Sequence, residues 1–302
     1  MSDVMREGAH LVELRDWTQL EMTGNERASF LHNMCTNEIN GLKPGEGCEA
    51  FLTNVQGKIL AYVDVRCLED SLTLSCVPGQ ADVITGHLDR YIIREDVTLH
   101  NRTAEWGLWL ITGDAVEAMI AEQLGGRPPT ETCLRPTGMV TATAFLLSGP
   151  RDVVRQLTNS LVEDGAAPCD DEIFETARIE AGTPLYGRDV TEENLPQEVA
   201  RNDRAISFTK GCYLGQETVA RIDALGHVNR TLVGVRILGR AVPTDGEQLR
   251  VDGKPVGKIT SAVFSETLDS PLALAYVRRG HNQPGMMLDG PNGPVEVIEL
   301  PV

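Results

Sequence analysis

The alternation of apolar and polar positions divides the chain into a long mixed region and a shorter region built from strands. Residues 10–23 read as a strand followed by a turn. Gly24-Asn25-Glu26 then leads into a segment where Ala28, Leu31 and Met34 recur at helical spacing. Two apolar runs, 50–53 and 58–65, flank Asn54-Val55-Gln56-Gly57 and predict a hairpin with a longer turn. Residues 72–77 alternate as a strand, and 80–91 suit a helix. Strands are expected at 97–101, 108–112 and 142–147, with helices near 114–124 and 150–163. Gly125, Gly126, Pro128 and Pro129 mark a loop among them.

A helix over 170–182 ends at Gly182, and a long irregular stretch runs from Thr183 to Lys210. Such stretches in compact domains are often functional, though a plain crossover between domains reads the same way. From Arg230 the pattern changes. Residues 231–237 alternate, and two short runs flank Asp252-Gly253, a hairpin signal. Further strands near 272–277 and 294–300 complete a small all-β barrel. The strand and helix alternation before it predicts an α+β architecture with mixed sheets.

Composition narrows the function. The 302 residues carry 27 basic and 44 acidic side chains, a formal charge of −17. That argues against broad nucleic-acid binding, which needs a basic field, while leaving room for one local anion pocket. Seven cysteines are scattered with no C-x-x-C pair, which fits a reducing compartment and gives no clustered thiolates for a permanent iron–sulfur site. The histidines show no metal-binding spacing, and neither a phosphate loop nor a Gly-x-Ser-x-Gly elbow occurs. The stretch Met1 to Glu7 lacks an apolar h-region, and no run reaches membrane-span length, so the cytoplasm is the expected location, with no membrane partner.

The chemistry concentrates in Lys210-Gly211-Cys212-Tyr213-Leu214-Gly215-Gln216-Glu217. A thiolate is the reactive form of cysteine, and a neighbouring ammonium and a helix N-terminus both favour it. Flanking glycines permit a tight turn and close approach of another molecule. A Gly-flanked turn with a small buried Cys is the plainer reading.

This segment resembles the K-G-C-[YF]-x-G-Q-E signature of the folate-binding YgfZ family, relatives of the aminomethyltransferase (T-protein) of the glycine cleavage system. Arg178-Ile179-Glu180-Ala181-Gly182, Tyr186-Gly187-Arg188-Asp189 and Pro196-Gln197-Glu198 are similar to shared T-protein segments. Val256 to Ser261 and Ala273 to Val277 resemble the superfamily's C-terminal barrel. The resemblance covers nearly the whole chain and implies a three-domain, aminomethyltransferase-like fold around a central cavity. It places a folate-binding region of two subdomains at 1–229 and the barrel at 230–302. It further implies tetrahydrofolate, or a one-carbon derivative, as cofactor, and iron–sulfur client or assembly proteins as partners.

The resemblance makes Cys212 the essential residue and aligns Glu198 with the glutamate that holds the pterin. A carboxylate suits that task because the pterin presents an amino group and a ring N–H side by side. Arg188, Arg221 and Arg230 are candidates for the anionic tail, each equally readable as a surface charge. Lys210 and Tyr213 join the candidate folate site, although core packing is the commoner role for Tyr213 and for Tyr91. One departure stands out: Ala61 and Tyr62 occupy the positions of the T-protein's paired aspartates, with Asp64 close by. Alanine carries no charge and tyrosine is a poor base near neutrality. A factor supporting iron–sulfur proteins is therefore the leading reading. A folate-dependent aminomethyltransferase is the alternative, followed by a demethylase or oxidase subunit and a module that senses folate.

Overall fold

The computed structural model describes residues 5, 7–124, 129, 132–140 and 143–302. The segment before Met5, Arg6, the loop residues Gly125, Gly126 and Pro128, and Ala142 lie outside that set.

The predicted hairpin forms one edge of the first sheet. Strands Gly47–Thr53 and Ile59–Cys67 pair antiparallel, and the sheet continues through Ser71–Cys76, Thr18–Thr23 and Thr98–Asn101. Helices Arg27–Met34 and Ala81–Leu88 cover it, and Leu31 and Ile84 join Leu20, Leu52 and Leu74 in one apolar cluster. The run at 80–91 divides into that second helix and a 3-10 turn, Asp89–Tyr91.

The second sheet is mixed, in the order Ala167–Cys169, His10–Glu13, Trp106–Thr112, Ala144–Pro150, Cys133–Pro136. Its first pair is parallel and the others are antiparallel. Period-two alternation sends its side chains to two cores. Leu11 and Leu147 pack under helices Val116–Leu124 and Arg151–Glu163, while Val12 and Leu146 meet Phe174 of helix Asp171–Glu180. The apparent single strand of 10–23 is thus two, His10–Glu13 in the second sheet and Thr18–Thr23 in the first.

The C-terminal strands close into a six-stranded barrel, ordered Arg230–Ile237, Ser270–Arg278, Lys254–Ser265, Gln248–Val251, Met287–Gly290, Gly293–Ile298. Asp252 and Gly253 turn its hairpin with φ of 50° and 74°, the twin left-handed geometry that matches strand twist. Two five-stranded sheets and a closed barrel realise the expected α+β architecture. Among the described residues no helix is long and apolar enough to cross a membrane.

Candidate functional site

The Cys212 loop is pinned at both ends and open at its tip. Lys210 is buried, and its ammonium donates to the carbonyls of His32, Cys35 and Asn37 at 2.5, 2.8 and 2.7 Å. These carbonyls lie at and just beyond the C-terminus of helix Arg27–Met34, where a cation is favoured. On the other side, the Leu214 amide donates to the Asn33 carbonyl at 2.9 Å, and the Thr53 hydroxyl donates to the Leu214 carbonyl at 2.6 Å. Gly215, with φ of 84°, caps helix Gln216–Leu225. A Cβ on Gly215 would meet the Asn54 carbonyl at 2.5 Å and the Gly57 Cα at 2.9 Å, so this glycine lets the hairpin turn and the motif touch backbone to backbone. Among the described cysteines only Cys212 is exposed. Burial raises the Cys35 thiol's pKa, and it pushes that of Cys48 up to about 12. Cys212 is therefore not the small buried cysteine of the plainer reading.

Tyr213 turns inward from the same loop. It is buried with Phe51, Val199 and Val219, and the Lys210 ammonium lies 5.0 Å from its ring centroid. Lys210 is committed to the scaffold, and it points into carbonyls rather than towards a ligand. Tyr91 sits edge-on to His87 at 5.5 Å and packs against the first core.

A separate cavity lies between the two sheets and the irregular stretch. Tyr62 and Asp64, two residues apart on one strand and so on one face, share it with Trp17, Met139, Tyr186 and Arg201. Its free volume is about 40 Å³, room for a few waters. Ala61 faces the opposite way, into the first core. The Tyr62 hydroxyl donates to Glu49, and Arg201 donates to that carboxylate at 3.0 and 2.6 Å and to the Tyr62 oxygen at 3.1 Å. Burial and the adjacent Glu49 carboxylate push the Tyr62 phenol well above its ordinary range, so it remains protonated and acts as a donor. Asp64 accepts from Arg66 at 2.9 Å and from Arg135.

Glu198 stands outside this cavity's lining. It is buried in the 3-10 turn Pro196–Val199. Arg230, the first residue of the barrel, donates to it bidentately, Nε to Oε1 and Nη2 to Oε2, both at 3.2 Å. The Leu195 amide and the Asn194 side chain complete its partners at 3.2 and 3.4 Å. The structure thus brings together Glu198 and Arg230 but not the other two arginines. Arg188 bridges Glu175 at 2.5 Å and Asp245 at 3.1 Å, and Arg221 lies exposed on helix Gln216–Leu225.

Glu49, Arg201 and Arg135 are cavity-network residues that the sequence reading missed. The alternation of strand Gly47–Thr53 gave Glu49 a face but no partner, and Arg201 falls in an irregular stretch where no periodicity marks direction.

Comparison with known proteins bears on the fold. Residues 230–301 match the glycine cleavage T-protein C-terminal barrel domain. An aminomethyltransferase of Streptomyces avermitilis is 27% identical, covering 98% of this chain and 87% of its own. One from Synechococcus sp. is 29% identical over 86% of this chain and 76% of its own. The crystal structure of glycine cleavage system aminomethyltransferase T from Bartonella henselae superposes with a TM-score of 0.89 at 20% identity, covering 98% of this chain and 87% of that one. The fold is therefore that of the aminomethyltransferase T-protein.

Proposed function

We propose that this T-protein-like chain binds tetrahydrofolate, or a one-carbon derivative, and supports the assembly or repair of iron–sulfur proteins through Cys212. The observation that carries the proposal is the presentation of that thiol. Six cysteines are withdrawn wholly or partly from solvent, while the seventh stands exposed on a loop fixed by Lys210, Leu214 and Gly215. A structural cysteine has no need of such a mount.

The donor chemistry at Glu198 fits a pterin. Arg230 already offers it two parallel N–H groups and is held by two hydrogen bonds, the same edge that a pterin's amino group and ring N–H would present. The Arg230 side chain is 38% exposed and has room to withdraw. Meanwhile Tyr62, which the resemblance sets at the place of a T-protein aspartate, is kept protonated by burial and by Glu49 and supplies no base. That separates the folate from aminomethyl transfer.

Replacing Cys212 with Ala tests this reading. Because the side chain is exposed, stability should change by no more than about 0.5 kcal/mol. Iron–sulfur enzyme activities in cells carrying only the variant should nevertheless fall. Normal activities would overturn the proposal.

Asp64 favours the second reading, a folate-dependent aminomethyltransferase, because it faces the cavity two residues beyond Tyr62. Its carboxylate is tied to Arg66 and Arg135, so this reading requires those pairs to open. Ammonia release from an aminomethylated lipoyl carrier protein, dependent on tetrahydrofolate and lost in Asp64→Asn, would establish it.

A further inference from the structure

Cys169 ends the edge strand Ala167–Cys169 of the second sheet, which pairs in parallel with strand His10–Glu13. Val12 lies directly opposite Cys169, and His10, two residues back along its strand, projects to the same face as Val12. The Cys169 sulfur and the His10 Nδ1 are consequently 3.6 Å apart, within hydrogen-bonding range for a thiol. The Ala167 carbonyl, at 3.8 Å, is the more distant of the thiol's two acceptors. The His10 side chain is buried, and its Nε2 lies 2.8 Å from the Glu7 carbonyl. A carbonyl only accepts, so Nε2 carries the ring hydrogen and Nδ1 presents a lone pair to the sulfur. Cys169 itself is half-buried, on the outermost strand of its sheet.

We propose that Cys169 is a second nucleophilic thiol, with His10 as its base, and that it exchanges with small disulfides carrying positive charge. Such a site needs a nucleophile, a base within hydrogen-bond reach and a group that orients the base, and the Glu7 carbonyl is the third. In the step, Sγ attacks one sulfur of the disulfide, and a new S–S bond forms as the old one breaks. The thiol proton passes to Nδ1 and then to the departing thiolate. Cys169 is thereby oxidised to a mixed disulfide, and the other half of the disulfide leaves reduced, as a thiol. Burial, then the Asp170 carboxylate, raises the pKa of the Cys169 thiol. The resting sulfur is therefore protonated at neutrality, and the base is what lets it attack there. Charge selects the partner. Between Arg155 and Arg178 the chain carries six acidic side chains and no basic one. Asp170 caps helix Asp171–Glu180, Asp171 and Glu172 stand in its first turn, and Glu7 and Glu13 flank His10 in the chain. These carboxylates repel an anionic disulfide and draw in a cationic one. The partial burial of Cys169 restricts the partner to a small molecule.

The test treats the full-length protein with cystamine, a cationic disulfide, and with oxidised glutathione, an anionic one, and follows the Cys169 peptide by mass spectrometry. In the folded wild type the cystamine rate should stay nearly level from about pH 7 to about pH 9, because Nδ1 takes the proton. The same cysteine in protein unfolded by urea should react roughly tenfold faster for each pH unit until its thiol ionises. His10→Gln should slow the folded protein about tenfold or more near neutrality and restore the steep climb with pH. A substitution that merely altered access to the sulfur would slow the reaction equally at every pH. Cystamine should outpace oxidised glutathione at Cys169 by about tenfold at low ionic strength, the gap narrowing as salt is added. Asp170→Asn keeps the capping oxygen and should narrow the gap as well. If His10→Gln fails to fold, the wild-type profile and Asp170→Asn decide. A folded wild type that climbs as steeply as the unfolded chain, a His10→Gln rate unchanged or slowed equally at every pH, or equal rates with the two disulfides would overturn the proposal. Every one of these readings is made at Cys169, so the outcome in cells carrying Cys212→Ala stands apart from them.

Discussion

Lys210 takes its work from where its ammonium is bound rather than from its neighbours in the chain. In sequence it is the cation two places from a cysteine, and proximity alone predicts electrostatic help for the thiol. In the fold it turns back and satisfies three carbonyls at and just beyond the end of helix Arg27–Met34. Its work is mechanical: it fixes one end of the loop that displays Cys212. Lys210→Met keeps the aliphatic stem but removes all three donors from a buried site. It should cost about 3 kcal/mol in chemical denaturation, since each orphaned acceptor carries part of its desolvation penalty. Cys212 should at the same time become more susceptible to proteolytic clipping nearby. Unchanged stability would show that water replaces the ammonium. Arg188 repeats the lesson, because chain position says nothing of direction: it serves Glu175 and Asp245. What the motifs around Glu198 and Cys212 do make legible is local backbone: a proline-led 3-10 turn and a left-handed glycine opening a helix.

At the scale of elements, what the sequence revealed depended on length. The hairpin at 47–67, the helix at 27–34 and the Asp-Gly barrel turn declare themselves through period and turn chemistry. Strands Cys133–Pro136, Ala167–Cys169 and Met287–Gly290 have three or four residues, too few for alternation to show, and they exist because a neighbour offers an edge. The irregular stretch from Thr183 proves to be a fastening rather than a plain crossover. Asp189, 1% exposed, accepts from Arg178 at 2.9 Å, the Leu185 amide at 3.0 Å, and the Thr260 and Ser261 hydroxyls at 2.6 and 2.5 Å. It thereby joins helix Asp171–Glu180 to barrel strand Lys254–Ser265. Asp189→Asn leaves the fully buried Arg178 guanidinium without one of its carboxylates. The variant should lose about 3–5 kcal/mol, read as a large fall in thermal midpoint. A shift small enough to match a surface substitution would mean that the barrel is held by apolar packing alone.

Across the whole molecule, the Glu198–Arg230 pair joins the irregular stretch to the first residue of the barrel, so whatever binds Glu198 also acts on the barrel's entry. If the pterin edge takes the place of the guanidinium, the two residues have opposite effects on binding. Glu198→Gln removes the charged bidentate acceptor and should weaken tetrahydrofolate about 10- to 100-fold in a calorimetric titration, the equivalent of one charge-assisted interaction. Arg230→Met removes the competitor. A tetrahydropterin with no glutamate tail should therefore bind more tightly to this variant than to the parent. Tetrahydrofolate should gain less, because a displaced Arg230 is then free to meet the tail's carboxylates, and on a chain of formal charge −17 that local cation matters. The difference between the two ligands isolates the exchange. If Arg230→Met weakens both equally, Arg230 holds Glu198 in place for the pterin rather than standing in for it. If neither variant alters either titration, other residues hold the folate.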